Sequence, residues 1–205
     1  ISDAKKNNFD WIVISSGGKL IDMAKNEGKE YIQIPNGLQP RAAFGYLTLA
    51  VSKIVDIVEG SNYVSQLNDV SLYIDKLSDK GDESDINKLS IDICESINKK
   101  TVIIYSGTDM SRVVSSRWKT QINENAKSKA FIGNLPEVHH NEILSWDADK
   151  DGSKKNYIAI FIRDQNEHPQ IKKRFELTKD LIGEKVNITE VNIANQESTL
   201  KTLLE

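Results

Sequence analysis

Residues 11–35 read WIVISSGGKLIDMAKNEGKEYIQIP, and they decide the fold. Trp11-Ile-Val-Ile-Ser15 is a short apolar, β-branched run that stops at Ser16-Gly17-Gly18, the pattern of a strand entering a glycine turn. Lys19 to Glu27 then reads as a short helix with Leu20, Met23 and Ala24 on one side, closed by Gly28. Tyr31-Ile-Gln-Ile-Pro35 is a second strand. That strand–helix–strand order leaves too few residues for antiparallel hairpins and argues for a parallel α/β unit. Two strands alone cannot bury both faces of such a unit, so the first domain is expected to be incomplete within these residues.

The same grammar returns further along. Thr101-Val-Ile-Ile-Tyr105 is a strand of the fully buried type, and Ser106-Gly-Thr-Asp109 turns from it into a helix running to about Lys127. Ala130–Ile132 and Asn156–Arg163 read as strands. Pro169 at a helix start opens a helix that aligns Ile171, Phe175, Thr178 and Ile182. Val186–Val191 is another strand, and Glu197–Glu205 begins a helix. Four strands alternating with helices give an α/β class with a doubly wound parallel sheet between helical layers. Between the halves, Arg41–Val58 is apolar on nearly every side, which predicts a buried helix. Two amphipathic helices follow, one carrying Leu67, Val70, Ile74 and Leu77, the other Ile86, Leu89, Ile93 and Ile97, around the polar loop Ser78–Asp85. The expected domains are therefore 1–60, a helical connector 61–98, and 99–205.

Composition narrows the function. Among 205 residues, 27 lysines and arginines face 30 acids for a net charge of -3, which argues against a nucleic-acid or anionic-membrane partner. A hydrophobic share of 39% against 28% charged can bury a core, so disorder is not expected. No apolar run approaches the roughly 18 residues of a membrane span, and the opening ISDAKKNNFD lacks the pattern of a signal peptide. A lone cysteine, Cys94, leaves no internal disulfide framework and no cysteine-built zinc site, and points to a cytoplasmic protein. Asp147-Ala-Asp-Lys-Asp-Gly152 imitates half of a calcium loop, but Ile158 stands where a bidentate glutamate belongs, so no metal is expected. Nucleotide fingerprints are absent. Ser106-Gly-Thr108 could cradle a phosphate on backbone amides or be an ordinary strand-to-helix turn.

Three stretches carry chemistry. Pro35-Asn-Gly-Leu-Gln-Pro-Arg-Ala-Ala43 is a proline-fixed loop at a strand's carboxyl end, where open α/β sheets bind ligands. It presents Arg41, suited to an anion or a developing oxyanion. Arg117–Lys127 (RWKTQINENAK) crowds long polar side chains on one helix, with Glu124 three residues before Lys127 in ion-pair spacing. Pro136–Trp146 (PEVHHNEILSW) holds adjacent histidines, which point about 100° apart on a helix and so cannot share one task.

Taken in order, IPNGLQPRAA, RWKTQINENAK and PEVHHNEILSW resemble the bifunctional phosphoglucose/phosphomannose isomerases, proteins of two sugar-isomerase (SIS) domains with α/β/α layers and parallel sheets; VISSGGKL is similar to the same family's sequence before the arginine loop. The resemblance implies roles residue by residue. Glu124 corresponds to the catalytic base, His140 to the histidine that assists ring opening in the neighbouring subunit's site, and Arg41, with Pro40 beside it, to the substrate contact that stabilises the enediolate. His139 stands where the family pattern has asparagine. It is not a catalytic candidate, and its loss is expected to matter little beside that of His140. The implied protein is a homodimer acting on sugar phosphates without metal or cofactor. The family's phosphate cradle is expected upstream of this segment and its catalytic lysine downstream, Lys201 falling too early for that role. The alternative is a non-catalytic SIS module that binds a sugar phosphate for regulation.

Overall fold

The computed structural model describes residues 1–79, 85–148 and 153–193. The chain divides into two compact units, Ile1–Asn68 and Asp69–Glu205, and a parallel sheet lies in each.

The first unit runs α1 (Ser2–Lys6), β1 (Val13–Ser15), α2 (Lys19–Asn26), β2 (Tyr31–Gln33), α3 (Phe44–Glu59) and the start of α4 (Tyr63–Asp79). β1 and β2 pair in parallel from Val13 opposite Tyr31 to Ser15 opposite Gln33, as the crossover order requires. The inward side of α2 differs from expectation. Ile21 and Ala24 are buried with Val13 under Trp11, while Leu20 is exposed. Gly18, at φ 73°, sets the entry angle; Leu20, one position before Ile21, is then turned about 100° away.

α3 also departs from the reading of a buried helix. It starts at Phe44, and only Ala50 and Ser52 along it are buried. Ile57 and Val58 are 72% and 77% exposed. Two strands of three residues give little apolar surface, and α2 already packs on it. Gly60 ends α3 in the left-handed region at φ 69°. Asp56 then folds back to start α4, accepting from Ser61 Oγ at 2.6 Å and from the Tyr63 and Val64 amides at 2.7 and 2.9 Å. Partial burial pulls its pKa up, but these bonds and Lys53 outweigh that and hold the carboxyl below its ordinary value.

The second unit holds α5 (Asp85–Ile97), β3 (Thr101–Ser106), α6 (Asp109–Glu124), β4 (Ala130–Asn134), α7 (Val138–Asn141), a 3-10 turn over Ile143–Asp147, α8 (Ser153–Asn156), β5 (Tyr157–Asp164), α9 (Pro169–Ile182) and β6 (Asn187–Ile193). All pairings are parallel, in the order β4-β3-β5-β6. The strand alternation splits the core between two faces. Val102, Ile104, Ile158, Ile160 and Ile162 face α5 and α6, packing with Ile93, Met110, Val114, Trp118 and Ile122. Tyr105, Ala159 and Phe161 face α7, the 3-10 turn and α9, packing with Val138, Trp146, Ile171 and Phe175. The result is the three-layer α/β/α arrangement. The aligned residues of α9 are all buried behind Pro169, as the spacing predicts. The helix read at 197–205, Lys201, residues 80–84 of the polar loop and residues 149–152 of the calcium-like run lie outside the described residues.

Candidate active site

Glu124 is the last residue of α6, three residues short of the expected end. The stop has a local cause. Asn123 Oδ1 accepts from the Ala130 amide at 2.9 Å and Nδ2 donates to the Ala130 carbonyl at 3.4 Å, tying the helix end to the first residue of β4. Lys127 adopts φ 54° and sends its ammonium back to the Glu124 carbonyl at 2.6 Å. The side-chain ion pair allowed by the spacing is thus replaced by a bond to one of the orphan carbonyls at the helix end. The Glu124 carboxylate is exposed and has no hydrogen-bond or ion-pair partner among the described residues. It stands on a fixed backbone at the amino end of the sheet.

The two histidines of α7 divide their work. His139 is half-buried: Nε2 lies 2.7 Å from Thr178 Oγ1, and Arg174 donates to Nδ1 at 3.1 Å. Burial lowers its pKa, and the Arg174 charge lowers it further. His140 is exposed, and its ring has no partner among the described residues. Glu142 accepts from the hydroxyl of fully buried Tyr105 at 2.5 Å, and Trp146 Nε1 donates to the same hydroxyl at 2.9 Å. Burial first, then the neighbouring carboxylate, drives the Tyr105 pKa well above its ordinary value, so the phenol stays a donor. Beside Glu142 opens a cleft of about 210 Å³ lined by Ile103, Ser145, Trp146, Ser153 and Tyr157.

Glu124 and His140 are not brought together within the second unit. α6 covers one face of the sheet and ends at the amino side of β4, whereas α7 covers the other face and follows the carboxyl end of β4. Arg41 and Pro40 belong to the first unit, in the turn that precedes α3, where the Ala42 and Ala43 amides donate to the Gln39 carbonyl at 2.8 and 3.0 Å. Pro40 is exposed; Arg41 is half-buried, with no polar partner among the described residues.

Ser106-Gly-Thr108 is an ordinary turn whose polar groups serve one another. The Gly107 amide donates to Ser111 Oγ, which donates to the Thr108 carbonyl; Ser106 Oγ is buried against Ser115 and Asn134. A Cβ on Gly107 would stand 2.7 Å from Ile171 Cγ2, so close packing accounts for the glycine.

Sequence reasoning missed Arg163. It is 7% exposed at the carboxyl end of β5, beside the point where the chain leaves β3 and β5 in opposite directions. Ligand anions favour such a place in open sheets. Each guanidinium nitrogen is nonetheless engaged, Nε and Nη2 by Glu167 and Nη1 by Glu176 at 3.1 Å and Glu190 at 3.3 Å, and the Phe175 ring lies 4.4 Å away. The i,i+4 spacing to Glu167 was visible; the other partners come from α9 and β6. Among the described residues no group of three or more His, Cys, Asp or Glu side chains is placed to hold a metal ion, and no helix is long and apolar enough to cross a membrane.

Comparison with known proteins adds the relatives. Residues 86–205 match the family described as bacterial phospho-glucose isomerase C-terminal SIS domain. A bifunctional phosphoglucose/phosphomannose isomerase of Aquifex aeolicus is 32% identical over 173 residues, covering 83% of this chain and 49% of that protein. A D-glucosamine-6-phosphate 4-epimerase of Sulfolobus acidocaldarius is 35% identical over 132 residues, covering 64% of this chain and 40% of that one. The chain thus spans about half the length of the curated relatives it matches. The solved glucosamine-6-phosphate deaminase of Thermotoga maritima superposes with a TM-score of 0.60 at 15% identity, over 98% of this chain and 61% of that one, which speaks to the fold alone.

Proposed function

The chain belongs to the bacterial phospho-glucose isomerase C-terminal SIS domain family, and on that premise we propose that it serves an aldose–ketose isomerase interconverting glucose 6-phosphate, and mannose 6-phosphate, with fructose 6-phosphate. The observation that carries the reading is Glu124, a carboxylate with no partner among the described residues, on a backbone pinned by Asn123 and Lys127. A base that must take a proton from carbon and return it needs a fixed position and an uncommitted oxygen. Glu124 removes the proton from C2 of the open-chain aldose; the C2–H electron pair becomes the C1=C2 bond and the carbonyl π pair moves onto O1, giving a cis-enediolate. A proton passes from O2 to O1, the C1=C2 pair takes the carbon-bound proton back from Glu124 at C1, and the O2 lone pair closes the carbonyl at C2. Glucose and mannose 6-phosphates differ only at C2 and share one enediol; a single fixed base serves both when that enediol turns about its C2–C3 bond to present either face of C2. Arg41 stabilises the negative oxygen of the intermediate more than the neutral carbonyl, where catalysis gains, with Pro40 shaping its loop. His140 moves the proton that opens the sugar ring.

The placement of Glu124 and His140 over opposite faces of one sheet favours a site shared between two copies, and most such assemblies close with twofold symmetry. We therefore propose a homodimer, working in the cytoplasm with its single cysteine reduced and serving sugar-phosphate metabolism such as glycolysis. Residues 1–60 are assigned to a first SIS domain, 61–98 to a helical connector and 99–205 to the second SIS domain, the family match from residue 86 supporting the last. The test is Glu124→Gln in the full chain. Loss of a positioned general base lowers turnover by about 10²–10⁴ or more, with folding intact; a kcat within tenfold of the unaltered enzyme overturns the assignment.

A further inference from the structure

We infer that His139 and Glu142 are positioning residues for His140, two struts that hold α7 between α9 and the central strand β3 and leave the imidazole between them free for substrate. The inference rests on the isomerase reading of His140.

α7 is a single turn of four residues, too short to hold its own geometry. Its bearings come from its neighbours. Val138 is 2% exposed and plugs the sheet-face core. On one side His139 reaches α9. The Thr178 hydroxyl donates to the Arg174 carbonyl at 2.8 Å, so its oxygen is left to accept. The proton of His139 therefore sits on Nε2, pointing at Thr178, while Nδ1 accepts from the Arg174 guanidinium. Both ring nitrogens are committed and the ring is neutral, so His139 has no proton to trade. On the other side Glu142 is tied to Tyr105 of β3, whose oxygen also receives the Trp146 N–H. Anchors at 139 and 142, on different layers of the unit, fix the rotation of the turn. His140 lies between them, exposed. An imidazole acting on a ring oxygen tolerates little error, since a displacement of 1 Å can cost about a hundredfold.

The experiment is a double-mutant cycle in the full chain, with glucose 6-phosphate as substrate. His139→Ala and Glu142→Ala are each made alone and in a His140→Ala background. Thr178→Val, which removes the His139 anchor with little change of volume, is the second route should His139→Ala fold poorly. Each strut variant is expected to lower kcat by about 10- to 100-fold with KM changed less. In the His140→Ala background the same variants lose no more than about twofold, because they act through a group already gone. Glu142→Gln, which keeps an acceptor for Tyr105, recovers most of the loss. Equal losses in both backgrounds mean a merely structural role and overturn the inference, as does full activity of the strut variants beside a damaged His140→Ala. A harmless His140→Ala is a different result: it removes the catalytic role of His140 itself, and the struts' purpose with it.

Discussion

Replacing Gly133 by alanine puts one methyl group into the tightest place on the face of the sheet that carries α7. The new carbon would stand 2.7 Å from Val138 Cγ2 and 2.8 and 2.9 Å from Cε1 and Cδ1 of Tyr105. Unstrained carbon contacts lie at about 3.5–4.0 Å, so the neighbours must retreat by roughly 0.6–1.3 Å. Neither has anywhere to go. Tyr105 is fully buried, its ring against Phe161 and its hydroxyl held by Glu142 and Trp146. Val138 is locked into the same core. Gly133 is not among the residues with positive φ, so the penalty is steric and not conformational. Overpacking of this kind costs about 1–3 kcal/mol, and with both obstacles held at their far ends we expect about 2–3 kcal/mol. Two units need not unfold as one, so a single melt is the wrong assay. Hydrogen exchange at the slowest amides of β3 and β4 isolates the effect, and 2–3 kcal/mol reads there as exchange roughly 30- to 150-fold faster. Gly45→Ala, in open space on α3, is the control and leaves those amides unchanged. Unchanged exchange in Gly133→Ala would mean that Tyr105 and Val138 can yield, and would refute the claim that they are locked.

Arg163→Met leaves the Glu167 carboxylate, whose side chain is 8% exposed, without its partner; a loss of about 3–5 kcal/mol is expected for an orphaned buried charge, read by hydrogen exchange in β5, and a loss below 1 kcal/mol would show that water reaches Glu167. Because burial, then Arg174, lower the His139 pKa below the ordinary 6.5, the folded state binds this proton less readily than the unfolded one. The stability at stake is present above about pH 6.5 and is lost as pH falls through that value toward the folded pKa; His139→Asn should flatten this slope in exchange measured between about pH 7 and 5, and an unaltered slope would count against it. His140→Ala should slow conversion of the closed ring more than that of an open-chain aldose phosphate, as stopped-flow comparison of the two would show; equal losses would remove ring opening from its role.

The parts of the fold that were legible share one property: their signal is local. β3 and β5 are unbroken apolar runs because both faces of a parallel sheet are covered, and the proline-led helix α9 announces its own inward face. What misled was burial inferred from composition. α3 is apolar around its whole circumference, yet only Ala50 and Ser52 are covered along it. Periodicity states which sides of a helix prefer to leave water, not whether the chain supplies something to cover them. Leu20 shows the same limit at smaller scale, its phase being set by the Gly18 turn and not by its hydrophobicity.

The site divides along the same line. That two adjacent histidines cannot share one task follows from the 100° step between neighbours on a helix. Which of the two has its ring nitrogens committed depends on partners 35 and 39 residues away. The same holds for Glu142, whose partner Tyr105 lies 37 residues earlier, and for Arg163, whose charge is absorbed by carboxylates on two later elements. In each case the sequence offered a polar side chain and the fold decided whether its bonding capacity was committed. Commitment is the useful criterion: a side chain with every donor and acceptor engaged can hold geometry but cannot exchange a proton with a ligand. By that criterion His139 and Tyr105 are excluded from proton transfer, whereas Glu124 and His140 carry ends with no partner among the described residues.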